Sequence, residues 1–315
     1  MQSLKKKFLN TSWWMALLLV VVLLFAGCGK LMGSTTVKST VNTIKETVAP
    51  TAPRNDQYPV EIKVFFIGHG DAILVRVGDE FSLIDSGDVE HRANIVQYLK
   101  DERVKALKRV IITHAHKDHV GGFWAIAQEF PIEKLYDNGV KGDKKMHSTV
   151  EQTIQSKKIP YEVLREGMRI DFGQGVHFDV YHPNDQIYTK KGEIDHNNTS
   201  IVGKLVYNKF SMLFAADIEK EAEERLIKEY NSKLFSRILK VPHHGSTTSS
   251  TEKFLRSVKP ESAIISVEMN SEYNLPRKEV VERIKGEGIQ LYRTDEQGTI
   301  TVYTDGKEWV VKPER

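Results

Sequence analysis

His114-Ala115-His116-Lys117-Asp118-His119 packs three histidines and an aspartate into six residues, directly after the apolar run Val110-Ile111-Ile112. A short buried strand fixes the backbone, and the loop after it aims several side chains at one point. Neutral imidazoles with a carboxylate suit zinc and other borderline divalent ions. His114 and His116, two apart, can turn the same way and share one ion. Asp118 and His119 begin the next helix and are placed to serve a second. Gly121-Gly122 lets the backbone pass close behind. The plain alternative is a polar loop with chance histidines. With 11 histidines in 315 residues, such clustering by chance is improbable.

Outward from this stretch, strand and helix patterns alternate. Val60–Phe66, Ala72–Val77 and Phe81–Ile84 read as a meander with turns at Gly68-His69-Gly70-Asp71 and Gly78-Asp79. Asn94–Tyr98 and Gly122–Glu129 read as helical. Further strands are expected over Val176–Tyr181, Ile201–Tyr207, Met212–Ala215, Ile238–Val241, Ala263–Val267, Gln290–Arg293 and Thr299–Tyr303. Helices are expected over Glu219–Tyr230, Thr251–Val258 and Arg277–Lys285. The pattern suits one layered α/β domain, residues 58–315, with helices outside two sheets.

The amino terminus reads as an address. Lys5-Lys6-Lys7 precede the uncharged run Trp13–Ala26, which is short for a span and right for a signal-peptide core. It ends at Leu24-Phe25-Ala26-Gly27-Cys28, which resembles a bacterial lipobox. Residues 1–27 are thus expected to be a lipoprotein signal peptide and Cys28, the single cysteine, the lipidated residue. The alternative is an uncleaved signal anchor with an incidental cysteine. Either way the domain is expected outside the cytoplasmic membrane. Residues 28–57, polar and with Pro50 and Pro53, read as a tether, with a short helix around Val41–Thr47. The formal charge of +3 comes from the three lysines of the address, so the remainder is neutral overall and carries no global basic footprint for nucleic acid.

The HxHxDH pattern followed by Gly-Gly resembles the signature of the metallo-β-lactamase superfamily. Leu83-Ile84-Asp85-Ser86-Gly87, Phe214-Ala215-Ala216-Asp217 and Pro242-His243-His244-Gly245-Ser246 resemble its other motifs, in the expected order. A narrower resemblance, covering nearly all of 60–303, is to the extracytoplasmic hydrolase domain of bacterial DNA-uptake competence channel proteins. It rests on Gly68–Ala72, Asn198–Val202, Lys240–Ser246 and Arg293–Gly298. It implies a four-layer αβ/βα sandwich, zinc or manganese, and phosphodiester hydrolysis. The chain departs from that pattern at His69, where Gln is usual, and at His116, where Asp is frequent. It departs again at Leu275-Pro276, where His-Pro is common, and at Ala216, where Gly usually precedes the aspartate.

The resemblance assigns roles. His114 and His116 would hold the first metal, with His196, before a strand, either a third ligand or a loop histidine. Asp118, His119 and one of His243 and His244, preferably His244, would hold the second. Asp217 would bridge the ions, and Asp85 would support the ligand loop by hydrogen bonding. Two such ions can generate hydroxide near neutral pH and clamp the attacking and leaving oxygens. Asp118 would orient that nucleophile and His243 would contact substrate or donate a proton. His69 and Asp71 either face the cleft or serve only the turn. The expected activity is that of a membrane-anchored phosphodiesterase or nuclease, with a phosphodiester or nucleic acid as substrate. The competing readings are a hydrolase of small or cell-wall esters, such as a phosphorylcholine esterase, and a non-catalytic metal-binding surface lipoprotein.

Overall fold

Two mixed sheets stack face to face. The first comprises β1 (Val60–Val64), β2 (Ile73–Val77), β3 (Glu80–Ile84), β4 (Arg109–Ile111), β5 (Leu135–Asp137), β6 (Tyr161–Val163), β16 (Ile300–Thr304) and β17 (Trp309–Pro313), in the order β17-β16-β1-β2-β3-β4-β5-β6. The second comprises β7 (Arg169–Gly173), β8 (Val176–His182), β11 (Val202–Tyr207), β12 (Phe210–Phe214), β13 (Ile238–Lys240), β14 (Ser262–Ile265) and β15 (Gln290–Arg293), in the order β15-β14-β13-β12-β11-β8-β7. A small ribbon pairs β9 (Thr189–Lys190) with β10 (Glu193–Ile194). This is a computed structural model, and it describes residues 57–184 and 189–315, all within the unit Thr51–Arg315. Cys28, the expected signal peptide, the tether up to residue 56 and its short helix lie outside the described residues. Among the described residues no helix is long and apolar enough to cross a membrane.

Burial follows the residue pattern. In β8 every second residue is buried, so one face meets the opposite sheet and the other stays near water. In β12 all five residues are buried, because that strand is covered on both faces. Three apolar clusters result. Between the sheets lie Val60, Ile62, Ile73, Ile84, Phe178, Leu205, Met212 and Phe214 among others. Outside the first sheet, Leu74, Leu83 and Val110 pack against Ile95 and Leu99 of α1 (Arg92–Asp101) and Phe123 and Ile126 of α3 (Phe123–Glu129). The one-turn α2 (Lys117–Val120) precedes α3, and α4 (Lys144–Lys157) covers the far end. Outside the second sheet, Leu213, Leu239 and Ile265 pack against α5 (Lys220–Tyr230), α6 (Glu252–Val258) and α7 (Lys278–Gly286). The short α8 (Thr294–Gln297) links β15 to β16. Helix, sheet, sheet, helix is the four-layer α/β sandwich that the sequence led us to expect.

The sequence pattern did not yield β5, α4, β6, β7 and β17. Helix α4 reads KKMHSTVEQTIQSK, with only Thr153 fully buried, so it has almost no apolar stripe to detect. Strands β5 and β6 have three residues each, below the length at which alternation can register.

Parallel pairing positions the site. β3 runs parallel to β4, and β12 to β13 to β14, so their carboxyl ends lie at one edge of each sheet. β11 is antiparallel to β12, which brings the segment before β11 to that same edge. The main chain of Ile201 donates to Thr113 O at 2.9 Å, joining the two sheets there.

Candidate metal centre

Each candidate ligand, and Asp85 behind them, leaves or enters a strand end. Asp85 follows β3, the His114–His119 loop follows β4, Asp217 follows β12, His244 follows β13, and His196 precedes β11. Crowding sets the backbone. Gly70 takes φ +104°, and a Cβ there would lie 2.0 Å from Asp118 O, so the 68–71 turn passes directly beneath the loop. A Cβ on Gly121 would lie 2.3 Å from both Lys117 O and Val89 N.

Four groups converge. Asp118 Oδ2 lies 3.5 Å from His119 Nε2 and 3.4 Å from His244 Nε2. Asp217 Oδ2 lies 3.3 Å from His119 Nε2 and 3.4 Å from His244 Nε2. Ligands about 2.0–2.1 Å from a tetrahedral zinc stand about 3.3 Å apart, which is the spacing of these four edges. His114 Nε2 lies 3.1 Å from His116 Nδ1 and 4.0 Å from Asp217 Oδ2. The His196 ring sits 5.4 Å from that of His116. Thus His114, His116, Asp118, His119, Asp217 and His244 come together, with His196 beside them. His243 turns away from the four, toward Thr248 Oγ1 at 2.9 Å and Glu219 Oε1 at 3.5 Å.

Hydrogen bonds behind the ligands fix their tautomers. His119 Nδ1 donates to Asp85 Oδ2 at 2.8 Å, and His244 Nδ1 donates to Ser266 O at 3.0 Å. Thr113 Oγ1 donates to Asp85 Oδ2 at 2.8 Å, which leaves it to accept from His114 Nδ1 at 3.1 Å. In all three rings Nε2 is therefore the free lone pair aimed at the centre. Asp85 also accepts from Thr113 N at 2.7 Å, so one carboxylate holds two ligand-bearing segments.

Among the described residues, His119 Nε2, His244 Nε2 and Asp217 Oδ1 are buried without a hydrogen-bond partner. Orphaned donors at one point, backed by oriented rings, fit a bound cation. The charge balance agrees. Burial works against ionising Asp217, yet His119 and His244 beside it hold its carboxyl well below the usual range. Burial likewise opposes protonation of His244, but Asp217, Asp118 and Asp71 push it up to about 10. Burial and the neighbouring His119 hold His114 well below the ordinary imidazole value, ready to ligate. Buried carboxylates thus demand positive charge at one place, and protons supply it when no ion does.

Lys240, missed from sequence, is fully buried and pairs with buried Asp71 at 2.7 Å. Asp71 also lies 3.8 Å from His244 Nδ1. His69 Nε2 lies 3.3 Å from Asp118 Oδ2, and its ring stacks on Tyr273 at 4.7 Å. Asn198 ties the His196 turn to α5, accepting from Glu219 N at 2.9 Å and Ala222 N at 3.3 Å. The one signal for Lys240 was a lysine at the end of an otherwise apolar strand. Ala216 takes φ +46°, which explains why glycine is usual at that position in the sequences this chain resembles.

The sequence pattern of the Metallo-beta-lactamase superfamily matches residues 66–268, most of the described domain and every one of these ligand positions. The chain belongs to that superfamily. Competence protein ComA of Neisseria gonorrhoeae is 29% identical over 240 residues, which cover 76% of this chain and 31% of that protein. ComE operon protein 3 of Bacillus subtilis (strain 168) is 26% identical over 259 residues, covering 76% and 32%. The chain spans about a third of the length of these relatives. Two solved structures share the fold. Igni18, a metallo hydrolase from Ignicoccus hospitalis, has TM-score 0.51 at 16% identity, covering 78% of this chain and all of that one. CmlA, a diiron beta-hydroxylase from Streptomyces venezuelae, has TM-score 0.52 at 10% identity, covering 78% and 54%.

Proposed function

We propose that the protein is a two-metal phosphodiester hydrolase held by lipidated Cys28 on the outer face of the cytoplasmic membrane. The observation that carries it is the convergence of His119 Nε2, His244 Nε2, Asp118 and Asp217 on one point, with buried atoms left unpartnered. His114, His116, Asp217 and His196 would hold one ion; Asp118, His119, Asp217 and His244 would hold the other. Zinc is the better match to this donor set, with manganese second. When bound, such ions acidify water and neutralise charge on phosphoryl oxygens. The match to Competence protein ComA, and the resemblance to the extracytoplasmic hydrolase domain of competence channel proteins, support phosphodiesters as the substrate class.

The chain's own residues do the remaining work. Asp118 orients an attacking water through its carboxylate. Asp85 keeps His119 in the ligating tautomer. His243 stands at the cleft mouth with Nε2 3.4 Å from Asn197 Nδ2, and Glu219 and Thr248 brace its other nitrogen. Its Nε2 accepts from Asn197 Nδ2, so His243 serves as a substrate contact at the cleft mouth rather than as a proton source at that nitrogen.

The test uses full-length protein in detergent, loaded with zinc or manganese, beside Asp118→Asn. Substrates are bis-p-nitrophenyl phosphate, single- and double-stranded DNA, phosphorylcholine esters and a chromogenic β-lactam. Metal-dependent turnover of a phosphodiester, lost in the variant, is expected. Bound metal with no turnover of any phosphodiester overturns the proposal. Labelled fatty acid should enter the wild type and not Cys28→Ser; equal labelling would rule the anchor out.

A further inference from the structure

The cleft over the ligands, about 340 Å³, is lined by His116, Asp217, His243, Ser246, Leu275 and Arg277 among others. Among the described residues, Arg277 is the sole lysine or arginine lining it. Arg76, Arg109, Arg225, Arg237, Arg256 and Arg293 each face a carboxylate. Arg277 is exposed and has no ion-pair partner among the described residues. Its backbone, by contrast, is pinned. Arg277 N donates to Gly245 O at 3.0 Å, and its carbonyl accepts from Val280 N at 3.0 Å and Val281 N at 3.1 Å. Pro276 packs so closely on Gly245 that a Cβ there would lie 2.7 Å from it. A long, unpaired guanidinium therefore springs from the residue bonded to the loop that carries His244. Leu275, in the same wall, offers no polar group.

His69 and Tyr273 also line an adjacent cavity of about 310 Å³. Its charged lining is Asp88, Glu90, Glu268 and Glu272 against Lys117, and Lys117 already faces Asp88 at 3.5 Å. The two spaces differ: the one over the candidate ligands carries the unpaired Arg277, and the one past Tyr273 is lined mainly by carboxylates. A guanidinium fork matches a phosphodiester's two unbridged oxygens, and the carboxylates repel a second phosphate one arm away.

We propose that Arg277 receives the anionic oxygens of the substrate, and that the substrate presents a single phosphodiester whose other arm is uncharged or cationic rather than polyanionic. This rests on the phosphodiester reading above. Dimethyl phosphate binding to the metal-loaded protein is measured by calorimetry, which needs no turnover. Arg277→Ala should weaken it, and raise KM for bis-p-nitrophenyl phosphate, by about 10-fold or more, with kcat within a few-fold and metal content unchanged; Arg277→Lys should restore part. Wild type should favour bis-p-nitrophenyl phosphate over a thymidine oligonucleotide in kcat/KM. Glu268→Gln with Glu272→Gln should shift that ratio toward the oligonucleotide. Unchanged dimethyl phosphate binding in Arg277→Ala overturns the assignment, and wild-type preference for the oligonucleotide overturns the substrate class. Absence of all phosphodiester turnover would instead sink the function proposed above, while the binding comparison still decides Arg277.

Discussion

The half of the molecule built on β1–β6 supplies Asp85, His114, His116, Asp118 and His119 from two adjacent strand ends, the last four from one six-residue loop. The half built on β7–β15 supplies His196, Asp217 and His244 from three separate connections, one residue each. The first half positions ligands by local chain geometry, so their relative placement is set before the sheets pack. The second half depends on strand order. β11, β12 and β13 must be neighbours, and the sheets must join at the site, before its three ligands face the first four. The first half gathers its candidate ligands in one loop, whereas the second is the half that closes the centre.

The sharpest way to break this comparison is Asp217→Asn. Asp217 comes from the second half and approaches His114 and His119 of the first as well as His244 of its own. The substitution should lower activity by on the order of 10³-fold or more. It should also reduce the content of both metals, read by elemental analysis. A full metal complement in that variant would show that the first half suffices alone.

Lys240→Met tests the buried pair beneath the second half. It leaves Asp71 buried and uncompensated, and should cost about 3–5 kcal/mol in denaturant unfolding. Adding Asp71→Asn should recover much of that loss, since no charge is then stranded. Equal stability of Lys240→Met and wild type would mean that water reaches Asp71.

Protons and metal compete at the join. His119 is held well above the ordinary imidazole value once Asp217 and Asp85 overcome burial, and His244 stands at about 10. Both rings carry a proton at neutral pH in the metal-free protein, and each must lose it to ligate. Metal affinity should therefore rise with pH between about 6 and 9, with binding releasing up to about two protons. Calorimetry in buffers of different ionisation enthalpy reads the number. Zero proton release would contradict the charge balance described for the centre.

Asp85→Asn acts within the first half alone. It should weaken metal binding about 10–100-fold by releasing the His119 tautomer and the Thr113 contacts, with the fold retained. The smallest effect is expected at Ala216→Gly. Relief of the left-handed backbone, less the added freedom of the unfolded chain, should leave a gain of about 0.5–1 kcal/mol. Loss of stability there would mean that the Ala216 methyl packs usefully.

What was legible in the sequence follows the same division. The His114–His119 loop could be read because its information is short-range: residues two and four apart on a strand end share a target whatever surrounds them. Asp217 and His244 were found only through motifs, since nothing local ties either one to the loop. His243 and His244 are adjacent and both take positive φ, and strand placement alone turns one ring inward and the other toward Thr248 and Glu219. Lys240 opened a motif without any sign of its role, and Arg277 carried no distinguishing pattern. A buried lysine and an unpaired arginine are defined by what surrounds them, and the surroundings come from other parts of the chain.

The sequence by itself determined the chemistry of the donors, the alternation of strands and helices, and the superfamily, because these are written in residue type and short spacing. Only the tertiary structure separated His244, which reaches the centre, from His243, which turns away. It also decided which carboxylates share a charge balance, and that an unpaired arginine lines the cleft while carboxylates line the space beyond Tyr273. Those depend on parallel strand ends from two sheets meeting at one edge, where distance in space no longer follows distance along the chain.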